Sequence, residues 1–386
     1  MKIGILTFHS QLNYGGILQC WALQTAFAKL GYEVVVIDRW LSAGNVALER
    51  GYNQFNIKNG TKFLVRALLA LGDIRQWLRV QRTKKFLKLH IKRTPYHFVD
   101  WKDAPKDLGV DMLVVGSDQV WHCGDWGDPR VYLLEGAPKI PAIAYAASFG
   151  LTEVPAQYID LYRRGLARFD AISCREAEGV EICKGLGFAA KHVVDPTLLS
   201  FCRESAERKK RCDLVCYFLS VSVEAHWQEL ETFARKNKCK VTIFENGAHL
   251  LPFPTNLARV KQWLKWHIRN LFSPIRVKSS AGPLEFFNAF KSARYVVSDS
   301  FHALMFAICN NCDTRMIRPS SPVRRQMFAR IEEFADHTEG PLVADSVSAA
   351  LESLSKGEKV VYDYKWINRR CSESLEWLMS ALATIH

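Results

Sequence analysis

The residues best suited to chemistry form one phrase, Ser298-Asp299-Ser300-Phe301-His302. The apolar stretch 293–297 before it reads as a buried strand, and 303–308 reads as the start of an apolar helix. A strand-to-helix junction of this kind is where α/β proteins bind ligands, and the helix N-terminus attracts anions. The phrase therefore predicts an anion site with a histidine that can carry a proton near neutral pH. The alternative is a helix cap at Ser298, Asp299 or Ser300, followed by a packed histidine.

Two loops in the first third of the chain also follow predicted strands. Asn13-Tyr14-Gly15-Gly16 opens a helix, and its glycines allow the backbone to approach a ligand. It lacks the dinucleotide-binding glycine pattern and the lysine of a phosphate-binding loop, and the alternative is a tight turn. Gly116-Ser117-Asp118-Gln119-Val120-Trp121 offers polar side chains in a second loop. Its alternative is helix capping by Ser117 or Asp118.

Arginines occur at two places that suit a carboxylate or phosphate. Arg175 follows a buried-looking strand at a helix start, and its guanidinium can grip an anion through two parallel hydrogen bonds. The pair Arg324-Arg325 can do the same. The alternatives are a salt bridge from Arg175 to a neighbouring glutamate and a solvated surface pair at Arg324-Arg325.

The composition is that of a large, basic, globular chain. Its 386 residues exceed the size at which one core usually divides, which favours two domains. A hydrophobic content of 48% excludes a disordered chain. The net charge of +13 favours anionic partners, such as phosphates, acidic glycans or a membrane surface. No zinc-finger spacing, RNA-binding aromatic motif or basic tail points to nucleic acid.

Eleven cysteines are scattered along the chain, mostly in apolar segments. This pattern favours reduced, buried thiols in a cytosolic protein over disulfides. Cys309-x-x-Cys312 is a lone pair with no second pair or histidine at metal-ligand spacing, so we interpret it as structural, with a redox or metal role as the alternative, and predict no metal site. Because Met1–Leu6 already reads as a strand and no apolar run is long enough to span a bilayer, we expect a cytoplasmic protein.

The elements that must position these residues alternate between strand and helix. This alternation predicts an α/β fold with two Rossmann-like αβα domains that face a cleft. A cluster of charged residues at 201–212 reads as a linker. We therefore expect domains at 1–205 and 212–360, with a C-terminal helix within 361–386 that packs back on the first domain.

Six phrases, in order, resemble the polysaccharide pyruvyl transferase family. The resemblance runs from residue 1 to about residue 335 and lies in Thr7-Phe8-His9 with Asn13-Tyr14-Gly15, Gly116–Trp121, Tyr145–Gly150, Ser173–Glu176, Asp195-Pro196-Thr197 and Ser298–His302. It implies a glycosyltransferase-B-like architecture. It also implies transfer of a pyruvyl group from phosphoenolpyruvate to two hydroxyls of a sugar. The product is a cyclic ketal and phosphate leaves, without a cofactor.

The resemblance also assigns roles. His302 is similar to the family's catalytic histidine, and Asp299 is a candidate to orient it. Arg175 is similar to the donor-binding arginine, Arg324 or Arg325 to a second basic residue, and Ser300 is a further donor contact. Candidates for the cleft and the acceptor are His9, Asn13, Tyr14, Gly15, Ser117, Asp118, Gln119 and Trp121. Ala303 and His122 depart from the family pattern, which has glycine and asparagine there, and put the acceptor in doubt.

Two rival functions remain open at this point. The first is a nucleotide-sugar glycosyltransferase of the same architecture, with Glu245 or Asp299 on a ribose. The second is a non-catalytic glycan-binding relative. The acceptor is expected to be a sugar of a cell-surface polysaccharide or a lipid-linked oligosaccharide.

Two basic stretches interleaved with aromatic and aliphatic residues, 84–93 and 259–278, are typical of surface helices. For 259–278 we expect either a helix that packs its tryptophans inward or one that contacts an anionic membrane. The second interpretation places the protein at the inner face of the membrane.

Overall fold

The computed structural model describes residues 1–40, 63–123, 128–202, 213–246 and 272–385. The first domain is built on a seven-stranded, fully parallel sheet in the order β3-β2-β1-β4-β5-β6-β7. Its strands are β1 (Lys2–Leu6), β2 (Glu33–Arg39), β3 (Arg93–Phe98), β4 (Met112–Gly116), β5 (Ala142–Ala147), β6 (Ala171–Cys174) and β7 (Lys191–His192).

Helices cover this sheet. They are α1 (Tyr14–Lys29), α2 (Phe63–His90), α3 (Ile159–Leu166), α4 (Ala177–Gly185) and α5 (Pro196–Phe201). Asn13 caps α1 because its side chain accepts from the amides of Gly15 and Gly16. Asp195 caps α5, where Pro196 occupies the first helical position.

The second domain repeats the design with a six-stranded parallel sheet in the order β10-β9-β8-β11-β12-β14. Its strands are β8 (Asp213–Tyr217), β9 (Lys240–Phe244), β10 (Ile275–Lys278), β11 (Tyr295–Ser298), β12 (Asp313–Ile317) and β14 (Val343–Ala344), while β13 (Thr338–Glu339) pairs with β15 (Val361–Tyr362). Its helices are α6 (Trp227–Lys236), α7 (Pro283–Ser292), α8 (Phe301–Cys309), α9 (Pro322–Ala335) and α10 (Val347–Lys356), and α11 (Tyr364–Ala383) closes the described chain.

Each sheet reverses its strand order once, between β1 and β4 in the first domain and between β8 and β11 in the second. Ligands of open α/β sheets bind at the carboxyl ends of strands beside such a reversal. The prediction of two Rossmann-like αβα domains facing a cleft is confirmed.

One hydrophobic core is shared by the two domains. Tyr14, in the first turn of α1, stacks on Phe286 of α7 with ring centroids 4.5 Å apart and planes 9° apart. The edges of Tyr217 and Phe244 close the same cluster. The C-terminal helix α11 lies against the first domain, where the Ser374 hydroxyl accepts from the amide of Val194.

The structure departs from the sequence prediction mainly at the sheet edges. The basic stretch 84–93, which is typical of a surface helix, is helical only to His90, and the edge strand β3, which contains Pro95, begins at Arg93. A proline is tolerated there because an edge strand has unpaired amides. In the basic stretch 259–278, residues 259–271 lie outside the described residues, and Ile275–Lys278 forms the edge strand β10 instead of a helix. The predicted linker lies almost wholly outside them, since 203–212 are not described.

Candidate functional site

A cavity of about 480 Å³ lies between the two domains, at the carboxyl ends of both sheets. The first domain contributes Phe8, Gln11, Leu12, Asn13, Asp118 and Gln119 to its wall. The second domain contributes, among others, Ser220, Asn246, Ser300, His302, Arg324 and Arg330. The cleft expected from the fold is therefore a pocket lined by polar side chains from both domains.

His302 lies in the first turn of α8 and is 9% exposed. Its Nε2 lies 3.9 Å from Oδ2 of Asp195, too far for a hydrogen bond, and has no hydrogen-bond partner among the described residues. Burial lowers the pKa of His302 against the opposing effect of Asp118 and Asp195. The unliganded site therefore holds a neutral imidazole with a free nitrogen at neutral pH.

Asp195 connects three segments of the first domain beneath the histidine. Its Oδ2 accepts from the Ser117 hydroxyl at 3.0 Å and from Nη1 of Arg175 at 3.1 Å. Its Oδ1 accepts from the amide and hydroxyl of Thr197. Burial acts to raise the pKa of Asp195, but the charges of His302 and Arg175 and the bonds from Thr197 outweigh it and lower the pKa. Because His302 is neutral near pH 7, Arg175 and Thr197 keep Asp195 ionised there.

Arg175 and Arg330 share one carboxylate and one aromatic ring. Oε1 of Glu176 accepts from Nε of Arg175 and Nη1 of Arg330, each at 3.3 Å, and from the Ser148 hydroxyl at 2.5 Å. The two guanidinium carbons lie 4.8 and 4.9 Å from the centre of the Phe301 ring. Nη2 of Arg175 and Nε of Arg330 are buried and have no partner among the described residues.

The pKa values of these arginines follow from the same contacts. Burial acts to lower the pKa of Arg175, but the charges of Glu176 and Asp195 outweigh it and raise the pKa. Burial and the neighbouring charge of Arg175 lower the pKa of Arg330. Both guanidiniums stay charged at neutral pH, since arginine titrates far above it. Two fixed guanidinium groups with unpartnered N–H donors are suited to bind an anion.

Asp118 and Gln119 face the cavity from an unusual backbone. Ser117 and Asp118 have positive φ angles of 22° and 71°, a region that L-residues rarely adopt. The turn is held by the Ser117 bond to Asp195 and by the amide of Gln119, which donates to Oδ1 of Asp118 at 2.9 Å. Gly150 leaves room for the Gln119 side chain, because a Cβ there would lie 2.4 Å from its Nε2. The turn places the Asp118 carboxylate on the cavity wall.

The sequence profile of the polysaccharide pyruvyl transferase family matches residues 13–321. This chain belongs to that family. No curated protein matches the chain.

Solved structures resemble this pyruvyl transferase family member at low identity. MnaA of S. aureus, solved with UDP, is 11% identical with a TM-score of 0.49, over 97% of this chain and 91% of that one. A UDP-N-acetylglucosamine 2-epimerase from Rickettsia bellii is 12% identical with a TM-score of 0.49, over 100% and 97%. The glycosyltransferase SnogD from Streptomyces nogalater is 10% identical with a TM-score of 0.39, over 97% and 94%.

Among the residues first named for the pyruvyl transferase site, Asp299 needs correction. Its carboxylate accepts from the amide of Leu219 at 2.6 Å and from the amide and hydroxyl of Ser220 at 2.8 and 2.5 Å. Asp299 lines the cavity, but it fixes the loop after β8 and does not orient His302. The carboxylates that bear on His302 are those of Asp118 and Asp195.

Three acceptor candidates do not reach the cavity wall. His9 is held between Asp38 and the carbonyl of Thr7, at 2.9 and 3.0 Å. Tyr14 lies in the shared aromatic core and donates to the carbonyl of Ala281. Trp121 is fully buried and donates to the carbonyl of Tyr132. All three were named because they belong to phrases that resemble the family, and backbone carbonyls or a carboxylate satisfy their polar atoms inside the protein.

The other candidates divide by position. Asn13, Gln119 and Ser300 line the cavity with Asp118, whereas Ser117 acts through Asp195 and Gly15 lies directly behind His302. Of the two neighbouring arginines in α9, Arg324 lines the cavity, whereas Arg325 is not part of the cavity wall and donates to the carbonyl of Pro319 at 3.1 Å.

Sequence reasoning missed Arg330 and underrated Asp195 and Glu176. Arg330 lies six residues beyond Arg324 in α9, a helix that was not predicted, so nothing in the sequence separated it from a surface arginine. Asp195 and Glu176 both belong to the phrases that resemble the family, and that position was the available signal.

No group of three or more histidine, cysteine, aspartate or glutamate side chains is placed to hold a metal ion in the part of the chain that the structure describes. No helix in the same part is long and apolar enough to cross a membrane.

Proposed function

We propose that this protein transfers a pyruvyl group from phosphoenolpyruvate to two hydroxyls of one sugar. The sugar belongs to a cell-surface polysaccharide or its lipid-linked precursor, the product is a cyclic pyruvate ketal, and phosphate is released. The observation that carries the proposal is a set of buried, unpartnered nitrogen atoms on Arg175, Arg330 and His302, of which Arg330 and His302 line the inter-domain cavity. Membership of the polysaccharide pyruvyl transferase family supports the same reaction.

The donor occupies the end of the cavity formed by α8 and α9. Phosphoenolpyruvate carries a carboxylate and a phosphate. Arg324 and Arg330 line that end of the cavity, and Arg175 lies behind it, where it lines a smaller pocket together with Arg330. Arg324 forms no ion pair with the described residues, so its charge is available to a ligand. The N-terminus of α8, where Ser300 is the cap residue, adds free backbone amides.

The acceptor occupies the rest of the cavity, where the wall carries amides and a carboxylate. Gln11, Asn13, Gln119 and Asn246 offer hydrogen-bond donors and acceptors without a net charge, and Phe8 offers an aromatic surface. This chemistry suits the hydroxyls and apolar face of a neutral sugar.

Asp118 and His302 divide the proton transfers. Asp118 accepts the proton of the first sugar hydroxyl as its oxygen bonds to the enol carbon, and His302 donates a proton to the methylene carbon, which becomes a methyl group. The carbon–oxygen bond to phosphate then breaks, the second hydroxyl closes the ketal, and its proton leaves with the phosphate. Proton transfer from Asp118 to His302 restores the site. Every step has a side chain or the leaving group as its proton partner, so we propose that no cofactor takes part.

This scheme requires a protonated His302, whereas the unliganded site lowers its pKa. The anionic donor reverses that effect, because an adjacent negative charge favours the imidazolium. Binding of phosphoenolpyruvate and protonation of His302 are therefore coupled.

Calorimetric titration with phosphoenolpyruvate tests the donor. We expect saturable binding. Arg324→Ala should weaken it by about 10- to 100-fold, because the variant loses a charge-assisted hydrogen bond to the ligand. Arg325→Ala is the matched control, because Arg325 is next to Arg324 in the chain but its side chain is not part of the cavity wall. Arg175→Lys adds a second test inside the ion-pair network.

A parallel titration with uridine and guanosine diphosphate sugars tests the main rival, a nucleotide-sugar glycosyltransferase. Binding of one of these sugars without binding of phosphoenolpyruvate would overturn the proposed pyruvyl transfer in favour of glycosyl transfer. Donor binding without phosphate release, across a panel of methyl glycosides with paired hydroxyls, would favour the non-catalytic relative.

A further inference from the structure

The long helix α2 (Phe63–His90) presents a basic and apolar surface to solvent. Its residues 79, 80, 83, 86 and 87 are buried, and the opposite side carries Trp77, Lys84, Lys85, Lys88 and Leu89. Trp77 is 46% exposed and Leu89 is 64% exposed, so two large apolar side chains stand in water among three lysines. These five residues are called the α2 exposed face below.

Within the described part of the chain, the lysines of this face are not paired with carboxylates. Residues 74–99 contain eight lysines and arginines and no aspartate or glutamate. Arg82 pairs with Glu285 and Arg93 pairs with Asp38, but Lys84, Lys85 and Lys88 form no ion pair with any residue that the structure describes. Three free ammonium groups on one side of a helix attract an anionic surface.

The helix also borders the cavity. From its buried side, Arg79 donates to the carbonyl of Leu12 at 3.0 Å and to that of Glu245 at 3.1 Å. Leu12 lines the cavity from the first domain, and Asn246, next to Glu245, lines it from the second. A surface that held the α2 exposed face would therefore lie beside the cavity rim.

We propose that the α2 exposed face docks on an anionic lipid surface. The lysines bind lipid headgroups, while Trp77 and Leu89 enter the apolar layer beneath them. A nucleic acid or a free phosphate has no such apolar layer for these two side chains. Docking would bring the cavity to an acceptor that is anchored in the same membrane. That consequence rests on the proposed function, whereas the docking itself does not.

Co-sedimentation with lipid vesicles tests the proposal on the full-length protein without any substrate. We expect binding to phosphatidylcholine vesicles that contain phosphatidylglycerol, and little binding to phosphatidylcholine alone. The triple variant Lys84→Gln, Lys85→Gln, Lys88→Gln should bind the anionic vesicles more weakly by on the order of 100-fold. The double variant Trp77→Ala, Leu89→Ala should also bind more weakly, and its remaining binding should disappear at high salt.

The matched control removes three exposed lysines from the other domain, through Lys236→Gln, Lys240→Gln and Lys359→Gln. It makes the same change in net charge and should leave vesicle binding within about twofold of the original, because its lysines are not on the α2 exposed face. Equal binding to both vesicle types, an unaffected α2 triple variant, or an equal loss in the control would overturn the proposal. So would binding of single-stranded DNA with no binding of vesicles. Titration of the α2 triple variant with phosphoenolpyruvate separates this result from the donor site, which should be unchanged.

Discussion

Gly15 and His302 touch across the domain boundary so closely that no side chain fits between them. An ideal Cβ on Gly15 would lie 2.4 Å from Nδ1 of His302 and 2.7 Å from its Cγ. Gly15 belongs to the first turn of α1 and His302 to the first turn of α8. The histidine is therefore positioned by a helix of the other domain.

Replacement of Gly15 by alanine should displace the imidazole. Alanine normally favours a helix over glycine, but here the clash should outweigh that gain and reduce the free energy of unfolding by about 1–3 kcal/mol. Phosphoenolpyruvate binding should weaken with it. Urea unfolding and calorimetry measure both effects. Gly185→Ala is the control, since a Cβ there meets nothing within 4 Å, and an equal loss in that variant would contradict the explanation.

Asp118→Asn should separate binding from chemistry. The amide keeps the shape of the turn but is a far weaker base, so phosphoenolpyruvate should still bind while phosphate release falls by about 100-fold or more. Stopped phosphate release with unchanged donor affinity supports the assignment. Full activity in the variant would show that another group accepts the proton.

The pH dependence of stability should report the buried imidazole. Folding lowers the pKa of His302. Below about pH 6.5, His302 is therefore protonated in the unfolded chain but still neutral in the folded protein. This contribution to stability is complete above that pH and is lost as the pH falls towards the folded pKa. His302→Gln should therefore show a smaller loss of unfolding free energy between about pH 8 and pH 5. His192, whose pKa burial lowers to about 4, acts in the same direction in both proteins and cancels in the comparison.

Asp195→Asn should destabilise the protein by about 3 kcal/mol, because it removes the charge that pairs with the buried Arg175. Asp345→Asn also removes a carboxylate from an arginine, but that carboxylate is 82% exposed and the change should be small. Chemical denaturation of the two variants measures the contrast. Equal effects would mean that burial does not govern these pairs.

The sequence was sufficient to predict the sites that depend on local order along the chain. Ser298–His302 stands at the end of β11 because an apolar run and a helix start flank it, and the same logic located Asp118 after β4. The sequence was insufficient where the hydrogen-bond partner of a side chain lies far away along the chain. Asp299 was expected to orient His302, but its carboxylate accepts from the amides of Leu219 and Ser220, in the loop after the neighbouring strand β8.

The arginines show the same limit. Arg324 and Arg325 are indistinguishable in the sequence, and only the rotation of α9 turns one into the cavity and the other towards Pro319. Arg330 becomes part of the site through Glu176, which is 154 positions earlier in the chain. Contacts of that separation leave no periodic pattern in a single sequence.

The aromatic stack of Tyr14 on Phe286 has a consequence for how substrates reach the cavity. Two-domain proteins often admit ligands by swinging their domains apart about a hinge. Here such a swing would pull Tyr14 out of an apolar cluster that includes Phe244 and Tyr217 and expose those rings to water. We therefore expect the two sheets to keep their mutual orientation during turnover, and traffic in and out to depend on local movement of side chains and loops at the rim.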